Sequence, residues 1–83
     1  MQLVVLTPEK EIFNGEARLV RVPGSNGSFE ILNGHAPIIS SLENGEVKII
    51  DNKEKKILLK ISGGIIECKD NKVILLIEKI LDE

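Results

Sequence analysis

Short apolar runs alternate with polar turn signals along the whole chain. The turns recur about every 8–12 residues, the spacing of an all-β sandwich or barrel. The runs QLVVL (2–6), ARLVRV (17–22), SFEI (28–31), EVKII (46–50), ILLKIS (57–62) and IIECK (65–69) read as strands. Side chains in a strand alternate between faces. Phe29 with Ile31, Val47 with Ile49, and Ile57 with Leu59 and Ile61 therefore each share a face. Several runs carry apolar residues on both faces, which predicts an outer surface that is itself partly covered, by a partner chain for example.

Between the runs lie TPEK (7–10), PGSNG (23–27), LNGHAP (32–37), ENG (43–45), DNKEKK (51–56), GG (63–64) and DN (70–71). Asn and Gly supply the positive φ that tight turns need, and Pro23 fixes φ at a turn start. The last run, VILLIEKI (73–80), fits a helical stripe as well as a strand. Its β-branched Val73, Ile74 and Ile77, and a DN turn at hairpin spacing before it, favour a strand at least through Ile77. No repeat, linker or low-complexity tract divides the chain, so residues 1–83 form a single domain.

Composition narrows the function classes. The net charge is −2 with both signs interspersed, and no basic block is present, which argues against nucleic acid as a partner. Phe13 and Phe29 are the only aromatic residues, too few for base-stacking or sugar-binding platforms. A single cysteine, Cys68, allows no internal disulfide. The start MQLVVLTPEK lacks the basic opening of a signal peptide, and no apolar run approaches the roughly 20 residues of a membrane span, so direct membrane insertion is not expected.

Candidate chemistry is sparse. One His and one Cys without clustered carboxylate spacing do not make a metal site. A nucleophilic pair of Cys68 with His35 is formally possible, but a small buried hydrophobe is the better reading of Cys68. PGSNG lacks the Lys of a phosphate loop and precedes a strand, so it reads as a turn. No catalytic residue and no cofactor is expected. Lys53, at the tip of a predicted hairpin, raises the alternative of a lipoyl- or biotinyl-type carrier domain, yet its flanks in DNKEKK match neither acceptor motif.

Three segments in order carry a resemblance. They are VVLTPEKEIFNGEARLVRVPGSNG (4–27), ILNGHAPIISSLENGEVKI (31–49) and SGGIIECKDNKVILL (62–76). Together they resemble the N-terminal domain of the epsilon subunit of F-type ATP synthases, with its Phe-x-Gly corner, Val-Pro-Gly loop, His-Ala-Pro loop and Gly-Gly hairpin. The resemblance implies a flattened ten-stranded β-sandwich of two packed sheets. It implies a non-catalytic rotor subunit in the central stalk, peripheral on the cytoplasmic face of a bacterial membrane. The implied partners are a gamma subunit and the c-ring, between which the subunit helps to couple proton flow to ATP synthesis.

By match to the family's motifs, the interface residues are Ser25, Asn26, Gly27, Ser28 and Glu30 toward the ring, and Gly34, His35, Ala36 and Pro37 in the His-Ala-Pro loop. Pro37 restricts Ala36 to extended backbone, which stiffens the loop before binding. Many family members carry an acidic residue at the position of Ser28 and Gly at that of Glu30. Here the carboxylate is shifted by two residues and should stay on the same side of its strand. Most members continue into a pair of helices that can extend along gamma and restrain hydrolysis, or bind ATP. A chain ending at Glu83 is expected to lack that latch, since an isolated helix needs roughly 12–15 residues to be even marginal.

Overall fold

In the computed structural model, which describes residues 1–81, the chain is all-β. The strands are β1 (Gln2–Leu6), β2 (Glu11–Gly24), β3 (Gly27–Leu32), β4 (Ile38–Leu42), β5 (Gly45–Asp51), β6 (Lys56–Ile61), β7 (Gly64–Lys69) and β8 (Lys72–Ile77). The expectation about a latch beyond the chain's end falls outside the described residues.

One hydrogen-bonded network folds over on itself along β2 to make the two layers. The first half of β2 pairs with β1, which continues through β8 and β7 to β4. The second half of β2 pairs with β3 on one side and β5 on the other, and β5 pairs with β6. A register shift between Ala17 and Leu19 marks the corner. All pairs are antiparallel except β1 with β8. The extents of 29 × 26 × 19 Å show the flattening that two packed layers impose.

The strand count differs from the expected ten for an identifiable reason. The Phe-x-Gly motif at 13–15, expected as a corner, does not break the chain into two strands: it pairs with β1 throughout, and β2 runs on past it to serve both layers. The segment after β8 contributes only an isolated bridge between Ile61 and Ile80. β8 runs through Ile77, the least extent that the β-branched pattern predicts.

A single core fills the space between the layers. Leu3, Val5, Ile66, Val73 and Leu75 from one layer meet Val20, Ile31, Val47, Ile49 and Ile61 from the other. Each fully buried Leu, Ile or Val removes enough apolar area to contribute about 1.5–3 kcal/mol. No buried polar side chain among the described residues interrupts this core. Two-residue periodicity then sends the alternate side chains outward, and on several strands these are apolar too. Ile39, Ile65, Ile74 and Leu76 are all exposed, Ile39 the most at 72%.

Candidate functional site

The motif residues named from the sequence lie along β3 and at its two ends: Ser25–Ser28 and Glu30 at and beside the β2–β3 hairpin tip, and Gly34–Pro37 in the loop that joins β3 to β4. β2 and β3 form a hairpin whose register closes at Gly24 opposite Gly27, with Ser25 and Asn26 at the tip. β3 then runs away from the tip. The Asn33–Pro37 loop turns the chain, and β4 returns toward the tip in the other layer. The tip is fixed to β4: Ser25 N donates to Ser41 O at 3.2 Å, and the Ser25 and Ser41 hydroxyls lie 2.8 Å apart. Ser28 and Glu30 occupy alternate, exposed positions of β3, so the carboxylate keeps the side that period-two alternation assigned it.

The loop at the other end is held by neighbours distant in sequence. Gly34 takes φ of 79°, a conformation that glycine adopts without a Cβ penalty. Its N–H donates to Asn71 Oδ1 at 2.8 Å, and His35 N donates to Leu32 O at 3.1 Å. The Met1 amine donates to Asn33 Oδ1 and, at 3.0 Å, to Ala17 O. Asn71 sits in the two-residue β7–β8 turn, where Asp70 and Asn71 both have positive φ, the pattern of a type I′ hairpin.

His35 is half-buried, and its Nδ1 donates to the Ala36 carbonyl at 2.7 Å. That bond to the adjacent residue orients the imidazole ring. Cys68 is buried; its thiol lies 3.9 Å from the His35 carbonyl oxygen, not from the imidazole. Burial also pushes the Cys68 thiol up, against thiolate formation. The Cys68–His35 nucleophilic pair therefore does not exist.

Between the hairpin tip and β4 lies a groove of about 510 Å³. That volume would hold a small ligand, but sites of that kind are concave and mostly apolar with convergent polar groups. This groove is open, and its walls carry serine hydroxyls, Asn26, Phe29 and two isoleucines, with no ionisable side chain. Nothing in it can supply a general acid, a base or a strong metal ligand. The arrangement can bind backbone and uncharged side chains.

The Ile38–Ser41 wall went unrecognised in the sequence. IISSL places two isoleucines before two serines and shows no clean alternation. Only the Pro37 before it and the ENG turn after it could have marked it as a strand. Lys53 lies in an exposed turn framed by Asp51, whose Oδ1 accepts from the N–H groups of Lys53 at 2.8 Å and Lys55 at 2.9 Å. No group of three or more potential metal ligands occurs among the described residues, and no helix there is long and apolar enough to cross a membrane.

Comparison with known proteins gives these features a family context. Residues 1–83 match the family described as ATP synthase, Delta/Epsilon chain, beta-sandwich domain. The chain is 40% identical over 78 residues to an ATP synthase epsilon chain of Chlorobaculum tepidum, covering 94% of this chain and 89% of that one. It is 40% identical over 79 residues to the epsilon chain of Magnetococcus marinus, covering 95% of this chain but 57% of that longer one. Among solved structures, the Tetrahymena thermophila mitochondrial ATP synthase central stalk and c-ring contains a chain that superposes with a TM-score of 0.84 at 21% identity. The match covers 98% of this chain and 65% of that one, and it speaks to the fold alone.

Proposed function

Because the chain belongs to the ATP synthase delta/epsilon β-sandwich family, we propose that it seats between a gamma subunit and the c-ring and transmits torque from one to the other. It is an epsilon-type subunit, a non-catalytic part of the ATP synthase. The catalytic head lies elsewhere in the enzyme, so this chain's contribution is mechanical: a stiff body with surfaces for its neighbours. The β-sandwich suits that task because its interior is close-packed and transmits strain instead of absorbing it.

The observation that carries the reading is the exposed apolar face of the β1–β8–β7–β4 layer. Ile65 lies opposite Leu76, and Ile74 and Ile39 both flank Glu67 in register. These four isoleucine and leucine side chains stand in solvent on a small chain, where a contiguous apolar patch marks an interaction site. A gamma subunit is the occupant that the family suggests for this face. The polar side bounded by Ser25–Ser28, Glu30 and Gly34–Pro37 is then left for the ring. The complex would lie at the cytoplasmic face of a bacterial membrane, peripheral to it.

Co-purification with the gamma subunit of the same organism tests the reading. A complex that survives gel filtration at micromolar concentration, and that raises the melting temperature of this chain by mass action, is expected. Failure to bind at micromolar concentration contradicts it.

A further inference from the structure

Sheet edges are hazards that proteins usually guard with charge, proline, bulges or cover. β6 is guarded on its outer edge: it carries Lys56 and Lys60, Leu81 N donates to Lys60 O at 2.8 Å, and Ile80 bridges Ile61. β4 is different. It pairs with β7 along its length but meets β2 only at Leu42 opposite Gly24. It carries no charge, and Pro37 stands only before its first residue.

The hydrogen bonds fix which backbone groups are free. Ser41 O accepts from Ser25 N, so the backbone of Ser41 faces away from β7. Successive residues of a strand point their N–H and C=O to opposite sides, so Ile39 faces the same way as Ser41. The Ile39 N–H and C=O and the Ser41 N–H therefore open into the groove. Across it, β3 pairs only with β2, and the same alternation turns Ser28 and Glu30 outward, in agreement with Leu32 O accepting from His35 N.

We propose that this groove binds a single extended segment of a rotor partner by strand addition to β4, with Ile39 as the central hydrogen-bonding residue. The groove of about 510 Å³ lies between the hairpin tip and β4, and only the short free edge from Ile39 to Ser41 opens into it, a length that suits one extended segment. Its uncharged, hydroxyl-rich lining selects a segment with small or polar uncharged side chains. Backbone pairing supplies affinity without charge, and the exposed Ile39 side chain joins the groove to the apolar face. The identity of the partner as a rotor subunit rests on the function proposed above; the mode of binding rests on the free edge.

The test uses the full chain, free and bound to a gamma–c-ring subcomplex of the same organism. In the free chain, the Ile39 amide should exchange with solvent much faster than those of Ile38 and Ser40, which face β7. In the complex it should slow by about tenfold or more. Ile39→Pro, which removes the groove-facing donor and no hydrogen bond to β7, should weaken the complex by about tenfold, whereas Ile39→Ala, which trims the side chain and keeps the donor, should weaken it much less. A complex that forms with Ile39 still exchanging freely overturns strand addition and leaves the rotor function standing. Absence of any complex overturns both. Concentration-dependent protection of Ile39 in the free chain assigns the edge to self-association and also overturns the proposal.

Discussion

The backbone N–H of Gly34 donates to Oδ1 of Asn71 at 2.8 Å, across 37 residues of sequence. The turn that joins β7 to β8 thereby holds the loop that carries His35, and two functions of Asn71 coincide. Its backbone supplies positive φ for a type I′ turn, and its side chain fixes a loop in the other layer's connection.

Two substitutions separate those functions. Asn71→Gly keeps the backbone conformation and removes the acceptor, and should cost about 1 kcal/mol. Asn71→Ala adds the penalty of positive φ for a residue with a Cβ, roughly 1 kcal/mol more. Thermal unfolding reads both, at about 4–8 °C per kcal/mol for a domain of this size. An Asn71→Gly variant as stable as the parent would show that the side-chain bond carries nothing, and equal losses in the two variants would show that the positive φ costs nothing.

Among the described residues, the one side-chain hydrogen bond of His35 is to the neighbouring Ala36 carbonyl. His35→Ala should therefore change stability by no more than about 0.5 kcal/mol, as surface substitutions do. Association with the rotor partners should weaken instead. A large fall in melting temperature with unchanged association would make His35 a structural turn residue.

Gly64 is the opposite case. A Cβ there would overlap the Leu76 carbonyl oxygen of the adjacent strand and come within 3.2 Å of Ile77 Cα. Backbone atoms cannot swing aside, so Gly64→Ala should destabilise by more than about 2 kcal/mol. At Gly27 nothing lies within 4 Å, and only the φ of 121° resists a side chain. Urea unfolding of the two alanine variants should rank Gly64 clearly the more damaging.

Much of this architecture is legible in the sequence. β1, β5, β6, β7 and β8 follow from short apolar runs between turn signals, and the burial of Val47, Ile49 and Ile61 matches the faces that alternation assigns in β5 and β6. The Phe13–Gly15 segment is not legible as part of a continuous strand, because Asn14 and Gly15 are poor strand formers and pairing with β1 keeps them extended. β4 is hidden for a related reason: Ser40 and Ser41 pair with Ile66 and Ile65, and tertiary context makes a strand of a segment with weak local preference. The parallel pairing of β1 with β8 joins the two ends of the chain, a relationship that no local pattern encodes. The motif residues 25–30 and 34–37 came from family likeness; the groove they border needed β4 to be seen.

Acid should loosen the β5–β6 turn first. Hydrogen bonds from Lys55 N–H, and less strongly from Lys53 N–H, hold the Asp51 carboxyl below its usual range. The Arg18 guanidinium, 2.6 Å from Glu54, does the same for Glu54. Both groups are depressed in the folded state. Their stabilisation is present above the unfolded values of about 3.9 and 4.3 and is lost as pH falls through the folded ones. Asp51→Asn and Glu54→Gln should each flatten the acid limb of a stability–pH curve, and added salt should shrink the Glu54 part because the pair is exposed. An unchanged acid limb in both variants would contradict this assignment.

Coupling itself is the most direct measurement. An ATP synthase of the same organism, depleted of its epsilon subunit and placed in proton-tight vesicles, is supplied with this chain, and ATP-driven proton pumping is recorded against ATP hydrolysis. Restored pumping per ATP hydrolysed, abolished by Ile65→Glu with Leu76→Glu on the apolar face, is the predicted result. Hydrolysis that stays uncoupled from pumping while the chain is fully bound would contradict the claim that this domain transmits rotation.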